Sequence, residues 1–221
     1  LGDGTRIDAK RVLVATGRKP NTAEINLSSV GIAPERGFVP VNDKMETRAD
    51  GIYCIGDANG RCLLAHAASA HGVVAVENAV GHGHAFDSPV PNCIYTFPEV
   101  ATVGLSADEA RAKGFPITVG NFPLAYLGKA MAVNDTEGFV KVVRNRETDD
   151  LLGVHMIGHN VTECIASAGA MLNQKAKVRD VAEAVFAHPT ISEAFKESAE
   201  DALSIGLHMP PRKVICVAAA V

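Results

Sequence analysis

Two hydrophobic rhythms divide the chain. In its first part, short apolar runs stand between turn residues: Val12-Leu13-Val14-Ala15 closes at Thr16-Gly17, and Ile52-Tyr53-Cys54-Ile55 ends abruptly at Gly56-Asp57. Runs of this length predict strands buried on both faces of a layered sheet. The second run leads into a helical stretch over residues 63–80, rich in small residues such as Ala65, Ala67, Ala68 and Gly72. A small-residue helix lets its backbone approach a neighbouring sheet or ligand closely.

The rhythm changes after residues 81–91, where two glycines and two prolines read as a linker, and a domain boundary is expected near Ser88. Beyond it, Ser106-Ala107-Asp108-Glu109 has the form of a capping box opening a short helix to Lys113. Residues 139–143 and 152–157 alternate as antiparallel strands do, with a polar turn at 147–150 between them. Cys164, Ile165, Ala168, Met171 and Leu172 then recur at helical spacing, and residues 178–186 and 191–207 predict two further helices. Strands followed by segregated helices argue an α+β domain. The apolar tail over residues 214–221 reads as a packed extension or a disordered end.

With 221 residues, one complete domain plus a partial one is expected. Hydrophobic residues make up 47% and charged residues 21%, and no apolar stretch is long enough to span a bilayer, so no membrane anchor is expected. A net charge of −4 without a dense Lys/Arg run offers no electrostatic footprint for nucleic acid. Five scattered cysteines without C-x-x-C spacing suit reduced thiols in a cytoplasmic setting. The opening Leu1-Gly2-Asp3-Gly4-Thr5-Arg6-Ile7 reads as a hairpin around an Asp-Gly turn, and no initiator methionine precedes it. The expectation is a chain that begins in mid-protein.

The sharpest local chemistry is His188-Pro189-Thr190-Ile191-Ser192-Glu193. Proline biases His188 towards an extended conformation just outside a helix, with Thr190 as the expected N-cap and Glu193 at N3. One reading is structural, a capping box beside a surface histidine. The other is functional: an N3 carboxylate reaching back to the imidazole fixes its tautomer and raises the basicity of its other nitrogen. Such a base matters most in thiol chemistry, where the thiolate is the nucleophile. Asp57 has two readings as well. It is either part of an ordinary turn or a carboxylate at the carboxyl end of a strand, where open α/β sheets bind ligands. His82-Gly83-His84, with His66 and His71 nearby, lacks a third ligand at useful spacing, so no metal site is expected.

Several of these segments stand in a telling order. They are Ala15-Thr16-Gly17-Arg18 with Pro20-Asn21, Thr47 followed by residues 52–57, and Leu63-Leu64-Ala65-His66. After them come Tyr95-Thr96-Phe97-Pro98-Glu99-Val100, Thr136-Glu137-Gly138-Phe139-Val140-Lys141, and the run HPTISEAFKESAEDA over residues 188–202. In that order they resemble the pyridine nucleotide-disulfide oxidoreductase family over nearly the whole chain. Ser192-Glu193-Ala194-Phe195 is closer to the members that oxidise dihydrolipoamide than to those that reduce glutathione disulfide or mercuric ion. The sequence departs from the family pattern at Phe97, usually polar, and at Lys129, usually Arg.

The resemblance implies a fold of three parts: residues 1–20 ending an α/β NAD-binding domain, 21–88 belonging to an FAD-binding and central region, and 89–221 forming an α+β interface domain with an antiparallel sheet and helices. It implies that Asp57 binds the ribityl chain of FAD, that Leu63, Leu64, Ala65 and His66 border the isoalloxazine, and that Gly17 lies near NAD. His188, held by Glu193, would be the acid/base for the lipoyl dithiol, acting on the redox disulfide of a partner subunit in a homodimer. The implied partner is the lipoyl domain, or free dihydrolipoamide, of a 2-oxo acid dehydrogenase complex. No G-x-G-x-x-G and no C-x-x-x-x-C occurs here. Both are expected upstream, so this chain alone is expected to hold no FAD stably and to be inactive. Two alternatives stand beside this reading: a non-catalytic dimerisation and docking unit, and part of a glutathione- or mercuric-reductase-like enzyme.

Overall fold

The computed structural model describes residues 2–210, so the apolar tail over residues 214–221 lies outside the described residues. The chain separates between Asp87 and Ser88 into two compact units. The division falls within the Gly- and Pro-rich segment.

The first unit is mostly irregular. Leu1 is outside the described residues. The rest of the opening makes a turn in which Thr5 N donates to Asp3 Oδ1 at 2.9 Å, without the expected hairpin ladder. Val12, Leu13 and Val14 are exposed coil rather than a buried strand. Apolar content makes a segment fit for burial, but a strand also needs a neighbour to take its backbone hydrogen bonds, and no described segment pairs with this one. Residues 52–55 likewise form no strand. They close a tight loop in which Thr47 N donates to Ile52 O at 2.9 Å, Cys54 N to Met45 O at 3.1 Å, and Tyr53 makes a lone bridge to Glu46.

A 3-10 turn, Gly56–Asn59, follows, and then helix α1, Ala65–Ala79. Gly56 has φ +64, and a Cβ there would stand 3.0 Å from Ala68 Cβ, so the glycine lets the turn lie directly on α1. Met45, Val74 and Ala75 form a small core with Val41, Tyr53 and Phe86 packed against it.

The second unit is a five-stranded antiparallel sheet backed by helices. Its strands are β1 (Asn92–Ile94), β2 (Glu99–Gly104), β3 (Ile117–Pro123), β4 (Phe139–Asn145) and β5 (Leu151–Gly158), in the order β1-β2-β5-β4-β3. Register pairs Val140 with Met156, Lys141 with His155 and Val142 with Val154. Alternation then sends Val140, Val142, Val154 and Met156 into one core with Ile165, Ala168, Phe195 and Ala199 from the helices. Lys141 and His155 point to the opposite face.

Helix α2 (Ala107–Ala112) begins with the expected capping box: Glu109 N donates to Ser106 Oγ at 3.2 Å and Ser106 N to Glu109 Oε2 at 2.8 Å. Helix α3 is Gly128–Ala132, α4 is Val161–Asn173 and α5 is Val178–Glu183. Helix α4 packs on β2 and β5. Helix α6, Glu193–Ala202, packs on β3 and β4. It is shorter at both ends than the helical pattern over 191–207, because residues 191–192 form a turn of i to i+3 bonds. At its other end Ser204 turns left-handed at φ +62, and Ile205 N bonds to Glu200 O at 3.0 Å.

Two bonds pin α6 to the sheet: Ser198 Oγ donates to Val140 O at 2.6 Å, and Asn121 N donates to Asp201 Oδ2 at 2.7 Å. No helix among the described residues is long and apolar enough to cross a membrane.

Candidate active site

The loop before α6 is tied to the first residue of that helix. Glu193 uses both carboxylate oxygens: Oε2 accepts from Thr190 N at 2.8 Å, and Oε1 lies 2.8 Å from His188 Nδ1. Thr190 does not cap the helix as its pattern predicts. Its hydroxyl turns back and donates to Ala187 O at 2.7 Å, so Ser192 occupies the N-cap position, with its side chain bonded to Cys164 Sγ at 3.5 Å instead of capping the helix. Only the carboxylate half of the capping box forms. That half still tightens the loop around the imidazole.

With Nδ1–H donating to the carboxylate, Nε2 keeps its lone pair. The Glu193 side chain is 20% exposed and that of His188 is 73% exposed, so a sheltered carboxylate holds an accessible imidazole. Chemically this is a proton acceptor whose tautomer is fixed by the carboxylate behind it. The imidazole also lies near the start of α3, where a Cβ on Gly128 would sit 3.6 Å from His188 Cε1.

The same cavity, about 140 Å³, is lined by Phe122, Tyr126, Leu127, Gly128, His188 and Glu193, and also by Glu197 and His208. Sequence reasoning missed this last pair. His208 Nδ1 lies 2.7 Å from Glu197 Oε1, and hydrogen bonding to that carboxylate lifts His208 above the ordinary histidine value. The left-handed turn after α6 brings residue 208 back to residue 197. No spacing rule announces such a return.

The residues singled out in the first unit are positioned by the turn at Gly56 and the start of α1. Asp57 and Leu63 line one cavity of about 310 Å³ together with Arg18, Asn21 and Phe38, and Arg18 Nη1 lies 3.4 Å from Asp57 Oδ2. Leu64 is the extended residue before α1 and makes no side-chain cap, so the first turn of α1 presents its backbone dipole without a capping oxygen. Ala65 and His66 open that turn and are exposed. Gly17, at φ +126, adjoins the cavity in sequence but does not line it.

Behind the turn stands His71, fully buried, whose Nδ1 accepts from Gly56 N at 3.3 Å. Burial, with the Arg61 charge adding to it, holds His71 below the ordinary histidine value.

Burial raises the thiols of Cys54, Cys62, Cys93 and Cys164, which keeps them protonated and poorly nucleophilic at neutral pH. His84 Nδ1 pairs with Glu77, and the described residues hold no group of three metal-ligating side chains.

An antiparallel sheet backed by helices, with an imidazole–carboxylate pair lining a cavity, defines the second unit as an α+β domain. Residues 90–199 match the model of the pyridine nucleotide-disulphide oxidoreductase dimerisation domain, and residues 1–72 match that of pyridine nucleotide-disulphide oxidoreductase. The chain belongs to the pyridine nucleotide-disulphide oxidoreductase family.

Among curated relatives, the dihydrolipoyl dehydrogenase of Bacillus subtilis is 42% identical over 94% of this chain and 44% of its own length. That of Thermus scotoductus is 43% identical over 94% of this chain and 45% of its own length. The chain therefore spans less than half the length of these relatives. Among solved structures, LpdA from Mycobacterium tuberculosis superposes with a TM-score of 0.77 at 28% identity, covering 82% of this chain and 40% of that one. The HOCl-induced flavoprotein disulfide reductase RclA from Escherichia coli gives 0.76 at 27% identity, covering 82% and 42%.

Proposed function

We propose that this chain is the C-terminal part of a cytoplasmic, homodimeric flavoprotein that oxidises dihydrolipoamide with NAD through a redox disulfide and FAD. In this reading residues 1–20 end the NAD-binding domain, 21–88 belong to the FAD-binding region and 89–221 form the interface domain. The observation that carries the reading is the 2.8 Å bond between His188 Nδ1 and Glu193 Oε1, which leaves Nε2 free to take a proton. The dithiol substrate, presented on a lipoyl domain, is supported by identity to relatives named dihydrolipoyl dehydrogenase.

The likeness to RclA keeps a second disulfide substrate in view, but at lower sequence identity. This chain by itself holds no C-x-x-x-x-C pair. Alone it is a dimerisation and docking unit without turnover.

The residues of the first unit fit a flavin. Asp57 offers an acceptor to a polyol hydroxyl, Gly56 removes the side chain that would hold the turn off α1, and Leu63 to His66 lead into an uncapped helix start. FAD supplies the two-electron acceptor between disulfide and NAD. The residues of this chain handle the proton. His188 Nε2 takes it from a substrate thiol while the emerging thiolate forms a bond to one sulfur of the disulfide, whose other sulfur leaves as a thiolate. Glu193 stabilises the resulting imidazolium.

If the disulfide of one subunit works with His188 of the other, two inactive variants should rescue each other. Refolding a chain lacking the redox cysteines together with one carrying His188→Gln gives heterodimers with one intact site, and activity should return. Tagged heterodimers that stay at background would reject the cross-subunit role.

A further inference from the structure

Helix α6 carries a second carboxylate one turn beyond Glu193, and it too holds an imidazole. Glu197 Oε1 pairs with His208 Nδ1 at 2.7 Å, while Glu197 Oε2 is buried and meets no donor among the described residues. The Glu197 side chain is only 10% exposed, and that of His208 is 69% exposed. A buried carboxylate with one oxygen unsatisfied is poorly compensated, so the charge it shows to its surroundings depends on the one imidazole that neutralises it. Both pairs line the same cavity of about 140 Å³. Glu193 and Glu197, four residues apart, stand on neighbouring turns of one helix face.

We propose that His208 and Glu197 are a positioning pair for His188, setting the charge beside it and thereby the pH at which it gives up its proton. This rests on the reading of His188 as the base.

Among the described residues, the other charged or titratable groups facing the two pairs are few. Tyr126 comes from the turn after β3. Glu200 lies a turn further along α6 and is ion-paired at 3.8 Å with Lys196, whose amine also donates to Ala184 O at 3.0 Å. Asp201 accepts from Asn121 N. Glu197 is thus the carboxylate beside Glu193 that is paired with an imidazole, a group that can gain or lose a charge. When His208 is protonated the pair is neutral, and when it is not, a net negative charge stands one helical turn from the dyad.

The test exploits a sign that packing cannot imitate. In this 221-residue chain, the imidazole resonances of His188 are followed by NMR against pH and assigned by their loss in His188→Gln. His208→Gln leaves Glu197 negative and should raise the His188 midpoint by about half a pH unit. Glu197→Gln removes the negative charge and should lower it by a similar amount. The double variant should return it close to its starting value. Midpoints unchanged in both single variants, or moved the same way, would overturn the inference.

The same variants in the longer protein separate the two claims. The acid limb of the dihydrolipoamide rate profile should move with the NMR shifts, in the same direction for each variant. NMR coupling present while the limb stays fixed would leave the charge coupling standing and remove His188 from the rate-setting step.

Discussion

His71 and His208 lie on opposite sides of the ordinary histidine value, so acid should affect the two units in opposite senses. His71 is held low by burial and then by Arg61, and the folded state resists its protonation. Its contribution is complete above the unfolded value of about 6.5 and falls as pH drops through that value towards the lower folded one. His208 is lifted by its bond to Glu197, so its contribution is complete below about 6.5 and is lost as pH rises through the higher folded value. Amide exchange over residues 56–75, corrected for intrinsic rates, should therefore speed up between about pH 7 and 5. His71→Asn, whose amide oxygen can still accept from Gly56 N, should flatten that dependence. Equal acid sensitivity in the two chains would contradict the role given to His71. The His188–Glu193 contact was legible in sequence because a carboxylate three residues after Thr190 can reach back to the loop, although Glu193 opens the helix rather than standing at its N3 position. His71 and His208 were not, since each meets its partner through a turn whose geometry no local pattern encodes.

Among elements, α6 decides the site, and its height above the sheet is set by one glycine. A Cβ on Gly120 of β3 would overlap Ser198 O and the Ala202 amide, both backbone atoms that cannot swing aside. Gly120→Ala should push α6 outward, cost on the order of 3 kcal/mol in urea unfolding, and loosen the His188–Glu193 bond. A stability loss under about 0.5 kcal/mol would show that the helix has room to spare.

The same glycine explains why β3 escaped the pattern. Gly120, Asn121 and Pro123 dilute its alternation, and Gly104 does the same to β2. By contrast β4 and β5 keep enough alternation to be readable, although Val142-Val143 and Gly153-Val154 break it, and α2 carries a complete capping box. The runs at residues 12–15 and 52–55 misled because burial potential was taken for pairing. Thr190 misled because its hydroxyl found Ala187 O before it found the helix.

At the scale of the molecule, the residues assigned to the cofactors and those assigned to the dithiol belong to separate compact units. Changes in one should then leave the chemistry of the other intact. That separability gives the central claim its most direct measurement. In the full-length protein carrying His188→Gln, two reactions are compared: dihydrolipoamide oxidation, which needs a base for the thiol, and NADH oxidation by an artificial quinone, which bypasses the dithiol. Dihydrolipoamide turnover should fall by about 10²–10⁴-fold, the usual worth of a positioned acid/base, while quinone reduction stays near its normal rate. Equal loss in both reactions, or near-normal dihydrolipoamide turnover, would contradict the assignment of His188 as the base for the dithiol.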